Sequence, residues 1–164
     1  MRLFFIGWSG KELGLVDAVR LLRKRHEILY WSGNKEEFSA LRSELPQTVF
    51  HDHFDALHGR GAPGIEASAF PPPAEALLGE FAEVESVVLT MMNKRFESAL
   101  VCERKHLYYH HLRYWQGVLE RFKPDAIIFP ATPHTVYDYV LYELAKRASI
   151  KTIMFELSTI AARS

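Results

Sequence analysis

The chain has 164 residues, is 48% hydrophobic and 13% aromatic, and carries 20 basic and 20 acidic side chains for a formal net charge of zero. That length fits one domain with a substantial core. The balanced charge excludes broad electrostatic capture of nucleic acid, which needs clustered positive charge. Cys102 is the only cysteine, so no internal disulfide forms and a reducing compartment is expected. The start of the chain lacks the basic, apolar and cleavage regions of a signal peptide. No apolar run approaches the ~20 residues of a membrane span. These features predict a cytoplasmic domain without a transmembrane segment, with peripheral attachment at the inner face of the cell membrane left open.

In chain order, "RLFFIG" (2–7) is a continuous apolar run, the mark of a strand buried on both faces. Leu15, Val16, Val19 and Leu22 then recur along one side of a helix. "HEILYW" (26–31) reads as a second strand, followed by a helix with Asn34 as cap and Glu37 closing a capping box. "QTVFH" is a short third strand. Residues 51–73, rich in glycine, proline and histidine, read as a long loop, and helices are predicted over 74–97 and 102–122. Tyr108, Leu112, Trp115, Leu119 and Phe122 form a core-facing stripe at alternating spacings of four and three. "AIIF" (126–129) is a buried strand. The next helix is predicted to be capped by Thr132, with Pro133 at its first position and Lys146 and Arg147 in its last turn, before a final strand at 151–155.

This alternation predicts an α/β domain over 1–164: a doubly wound, mostly parallel Rossmann-like sheet with a helical excursion between strands 3 and 4. With strand order 3-2-1-4-5, ligands bind outside the carboxyl ends of strands one and four, where the order reverses. Two loops meet there, "GWSGKE" and "PATPHTVYD".

The glycines of "GWSGKELG" are spaced G-x-x-G-x-x-x-G, not G-x-G-x-x-G, and no G-K-[ST] follows. Ser9 and Glu12 have capping-box spacing, which satisfies the backbone donors a phosphate would use. The corner therefore suits a neutral hydroxylated ligand such as a sugar, with Ser9 and Gly10 as candidate substrate-binding residues, or it merely turns the chain.

His134 follows a buried strand and is predicted in the first turn of a helix. There the helix N-terminus disfavours the imidazolium, so the ring suits a donor or general base, with Asp138 one turn later to orient it. The bland alternative is a capping or packing residue. Lys94 and Arg95, in "MMNKR", can meet an anionic ligand or simply be solvated. "HDHFDALH" holds His51, His53, Asp55 and His58, ligand types for zinc or manganese whose spacing matches no metal motif, so no metal is assigned. His106 and His110 lack the intervening glutamate of H-E-x-x-H. Tyr108, Tyr109 and Tyr114 offer an aromatic surface to a partner domain.

The stretch from "MMNKR" onward, above all "KPDAIIF" and "PHTVYDYVLYELAKRASIKTIMF", resembles the N-terminal domain of bacterial capsular-polysaccharide and surface-carbohydrate biosynthesis proteins, which are similar to two-domain B-type glycosyltransferases. The resemblance implies the N-terminal half of a longer protein, ending before its second domain, with a carbohydrate or lipid-linked sugar acceptor as partner. It implies no cofactor in this domain and a nucleotide sugar in the missing C-terminal one. His134 and Asp138 are then the catalytic candidates, with Ser9, Gly10, Thr132 and Arg95 binding substrate. A non-catalytic ligand-binding or regulatory α/β module is the alternative.

Overall fold

The structure, a computed structural model, describes residues 1–8 and 15–155. Its sheet has five parallel strands in the order β3-β2-β1-β4-β5: β1 (Arg2–Trp8), β2 (Glu27–Gly33), β3 (Val49–Asp52), β4 (Ala126–Phe129) and β5 (Lys151–Met154). The doubly wound fold is as the alternation predicts, because side chains leave a strand on alternate faces. Leu3 and Phe5 of β1, with Ile128 of β4, pack on one face against Val19 of α1 (Leu15–Leu22) and Phe38 and Leu41 of α2 (Lys35–Leu41). Phe4 and Ile6, with Ile127 and Phe129, pack on the other face.

That second face is covered by α3 (His53–Leu57), α4 (Glu75–Glu80), α5 (Ala82–Met92), α6 (Val101–Phe122) and α7 (Val136–Arg147). The stretch predicted as a loop over 51–73 thus contains the end of β3 and a short helix. Asp52 starts that helix, its Oδ1 accepting the N–H groups of Phe54 and Asp55 at 2.9 and 3.2 Å. The helix predicted over 74–97 is two helices broken at Phe81, and it stops at Met92.

The stripe on α6 is core as its periodicity requires: Tyr108, Leu112, Trp115 and Leu119 are buried. Tyr114 is buried too, its hydroxyl accepting the Ala62 N–H at 2.9 Å and lying 2.8 Å from the Tyr30 hydroxyl. With Tyr108 also inside, two of the three tyrosines expected to meet a partner are interior packing, and Tyr109 is half-buried. On the far side of the same helix Phe70 lies flat on Gly117, where a Cβ would stand 2.1 Å from the ring. The helix and its crossing loop fit only because position 117 has no side chain.

Gly7 interrupts the alternation of β1. Its φ is +80°, and the register with β2 shifts between Phe5 and Trp8. The bulge turns Trp8 onto the Leu3 and Phe5 face, where its Nε1 donates to the Ile128 carbonyl at 2.9 Å. It also aims the Gly7 N–H sideways at Ser32 of β2, whose Oγ accepts it at 2.9 Å. The carboxyl end of β1 is thereby pinned to its neighbour beside the point where strand order reverses.

Candidate functional site

A pocket of about 140 Å³ opens at the carboxyl ends of β1 and β4, lined by Gly7, His53, Arg95, Thr132, His134 and Asp138 among others. A second cavity of about 260 Å³ adjoins it and shares Arg95, His134 and Thr135, with Lys94 on its rim. The switch point is where the strand order predicts a site. Four of the candidates line it: Thr132, His134 and Asp138 from the single stretch that joins β4 to α7, and Arg95 from the turn after α5. Ser9 and Gly10 lie outside the described residues.

The start of α7 differs from its prediction. Its N-cap is Thr135, not Thr132, and His134 stands exposed ahead of the helix and not in its first turn. The reason is the T-x-x-D spacing of Thr135 and Asp138: the Asp138 Oδ1 accepts the Thr135 N–H at 2.8 Å, a bond that defines the first turn. Pro133 keeps the preceding residue extended. Asp138 therefore does not orient the His134 ring. A backbone carbonyl does: His134 Nδ1 lies 2.8 Å from the Thr132 oxygen. A carbonyl only accepts, so Nδ1 carries the proton and, in the neutral ring, the lone pair sits on Nε2. Burial raises the Asp138 carboxyl to about 6, against hydrogen bonds from Thr135 and the nearby His134, which favour the ionised form.

His53 enters the pocket from the first turn of α3. Its Nδ1 lies 2.8 Å from the Tyr137 hydroxyl, which in turn lies 3.2 Å from Ser32 Oγ, the acceptor of the Gly7 N–H. Tyr137 is fully buried and stacks on Trp115 with ring centroids 5.7 Å apart, so its hydroxyl has a fixed position. Burial lowers the basicity of His53, and the Arg95 charge lowers it further. Arg95 and Lys94 are exposed and neither has a carboxylate within ion-pair distance among the described residues. Sequence reasoning missed Tyr137 and Ser32, and it placed His53 only in a ligand-type set.

That set is scattered. His51 turns inward, with Nδ1 2.6 Å from the Tyr30 hydroxyl and Nε2 2.7 Å from the Arg60 carbonyl. His58 Nδ1 lies 2.8 Å from the Phe54 carbonyl, and Asp55 accepts from Arg60 at 2.6 Å. Among the described residues no group of three or more His, Cys, Asp or Glu could hold a metal ion.

A larger cavity of about 590 Å³ runs along the outer edge of β3, between Lys35, Phe38 and Arg42 of the α2 region and Phe50 of the strand. Phe38 and Phe50 stack there at 4.4 Å. Ser39, Gln47 and Thr48 also line it, but it lies along the sheet edge, away from the carboxyl-end switch point where open α/β sheets bind their ligands.

No protein-family model matches the chain, and no curated protein matches it. Fold and site together define an open parallel α/β domain with a polar pocket at its switch point. No helix among the described residues is long and apolar enough to cross a membrane.

Proposed function

We propose that the chain is the acceptor-binding α/β domain of a glycosyltransferase-like protein of surface-polysaccharide assembly, with His134 receiving the proton of the acceptor hydroxyl. The observation that carries this reading is the His134 ring. Its Nδ1 is committed to the Thr132 carbonyl at 2.8 Å, and it lines a small polar pocket beside the ends of β1 and β4. A general base needs a lone pair within reach of the hydroxyl it deprotonates, and the Nε2 atom supplies one. A second domain would bring the sugar nucleotide, and the work would take place in the cytoplasm, at the inner face of the membrane for a lipid-linked acceptor.

In bacteria carrying this gene, a chromosomal His134→Ala substitution is expected to deplete surface polysaccharide while the protein remains folded and abundant. Undiminished polysaccharide with a folded variant refutes the assignment of His134. A second reading, a ligand-binding module without catalysis, is favoured by one observation: a backbone carbonyl, and no carboxylate, orients the His134 ring. Sugar binding to the purified chain that survives His134→Ala, in cells whose polysaccharide is unchanged, supports that alternative.

A further inference from the structure

The hydrogen-bond chain behind His53 has a direction, and counting protons gives it. Ser32 is fully buried, and its Oγ already accepts the Gly7 N–H at 2.9 Å. A serine hydroxyl has one proton to give, and the Tyr137 oxygen at 3.2 Å is its available acceptor among the described residues. If Tyr137 instead donated to Ser32, the serine proton would be buried with no acceptor, an arrangement native interiors avoid. Ser32 therefore donates to Tyr137. The tyrosine proton then points at His53 Nδ1, 2.8 Å away, which must accept it. The proton of the neutral His53 ring is thereby on Nε2.

The two pocket histidines thus present opposite faces to a ligand. His134, proton on Nδ1, offers a lone pair at Nε2; His53, proton on Nε2, offers a donor. Arg95 lines the same pocket without a carboxylate partner, and Lys94 lies on the adjoining cavity. Asp138 is the carboxyl in the lining; it is buried, with Oδ1 on the Thr135 N–H.

Deepening the reading of the preceding section, on which it rests, we infer that His53 and Arg95 form an oxyanion subsite that takes the phosphate or carboxylate of a hydroxylated ligand, beside the hydroxyl received by His134. A neutral N–H and a guanidinium are the groups that grip such an oxygen, and both retain their protons throughout the neutral range. Tyr137 and Ser32 are positioning residues: they act through His53 and touch no ligand.

The test has two readouts on the full chain. Long-range nitrogen–proton NMR of the imidazole rings reports tautomers directly. The expectation is Nε2–H for His53 and Nδ1–H for His134, with Tyr137→Phe releasing His53 to a mixture while His134 keeps its tautomer. Calorimetry with glucose 1-phosphate, glucuronic acid and glucose then separates the anion sources. At least one anionic sugar is expected to bind tenfold or more tightly than glucose, and Arg95→Gln, a surface change, to abolish the difference. Nδ1–H on His53 in the wild type, or equal affinities that ignore Arg95→Gln, overturns the inference. If glucose still binds and depends on His134, the acceptor reading survives that failure. If inorganic phosphate binds through Arg95 and no sugar adds affinity, the subsite stands and the acceptor reading falls.

Discussion

The Tyr137 hydroxyl lies 2.8 Å from His53 Nδ1, joining the first full turn of α7 to the first residue of α3 across the carboxyl end of the sheet. This contact ties together segments separated by a long helical excursion, and it does so at the mouth of the pocket. Its other anchor is Ser32, which the Gly7 bulge holds in place. Strand geometry, a buried hydrogen-bond chain and the His53 ring that lines the pocket are thus one assembly.

Gly7 is the first test of that assembly. Its φ of +80° strains any residue with a Cβ, although the nearest atoms would stand a tolerable 3.8–3.9 Å away. Gly7→Ala should therefore cost about 1–2 kcal/mol through backbone strain alone. Urea denaturation checks the loss, and proton exchange of the His53 ring should accelerate as the Ser32 anchor loosens. An unchanged midpoint would mean that the bulge relaxes freely.

Acid should destabilise the fold. Burial pushes His51 from 6.5 to about 4 and His111 from 6.5 to about 3. Both rings are depressed bases, so the unfolded chain binds the extra protons. Stability is full above pH 6.5 and falls as the pH drops toward 4 for His51 and 3 for His111. Each unit below 6.5 costs about 1.4 kcal/mol per ring. For His51 the cause is burial, which outweighs the bond from Nε2 to the Arg60 carbonyl at 2.7 Å that favours the charged ring. Melting temperatures should hold from pH 7.5 to near 6.5 and fall from there to pH 4.5. His111→Leu, which removes a buried Nε2 without a partner among the described residues, should reduce the slope by about one proton.

Asp138 works in the opposite sense. Its folded value is raised to about 6 from 3.8. The stability it contributes is fully present below 3.8 and lost as the pH rises through 6. Asp138→Asn stays neutral and keeps an oxygen for the Thr135 N–H. The variant should match wild type near pH 4 and exceed it by up to about 3 kcal/mol at pH 7. A variant weaker than wild type at pH 7 would show that the ionised carboxylate is the stabilising form. In wild type the paired effect of His51 and His111 outweighs this single carboxyl, so the net response to acid remains a loss.

The fold was legible because strand alternation and helical spacing are local signals. Leu3, Phe5 and Ile128 against Phe4, Ile6 and Ile127 already sort onto two faces by parity alone. The order 3-2-1-4-5 is the common arrangement for such an alternation, and it is the order the sheet adopts. The pocket was legible only in part. Thr132, His134 and Asp138 follow from the loop after β4, whereas nothing in "MMNKR" puts Arg95 beside it, and the T-x-x-D capping signal of Thr135 and Asp138 competes with Thr132 and Pro133. Asp52 before "HFDAL" is an N-cap signal for α3, hidden within a stretch of glycines and prolines that reads as loop. Tyr137 and Ser32 gave no signal at all. Their importance comes from a hydrogen-bond chain that joins distant positions, and no spacing rule encodes it.

On the function proposed above, the ligand sits at the switch point, between His53 and His134. The most direct measurement is a chemical-shift map of the chain titrated with glucose 1-phosphate. The His53 and His134 rings and the Arg95 guanidinium should shift together along one saturating curve. Shifts confined to Lys35, Phe38, Arg42 and Phe50, in the cavity of about 590 Å³ along β3, would contradict it.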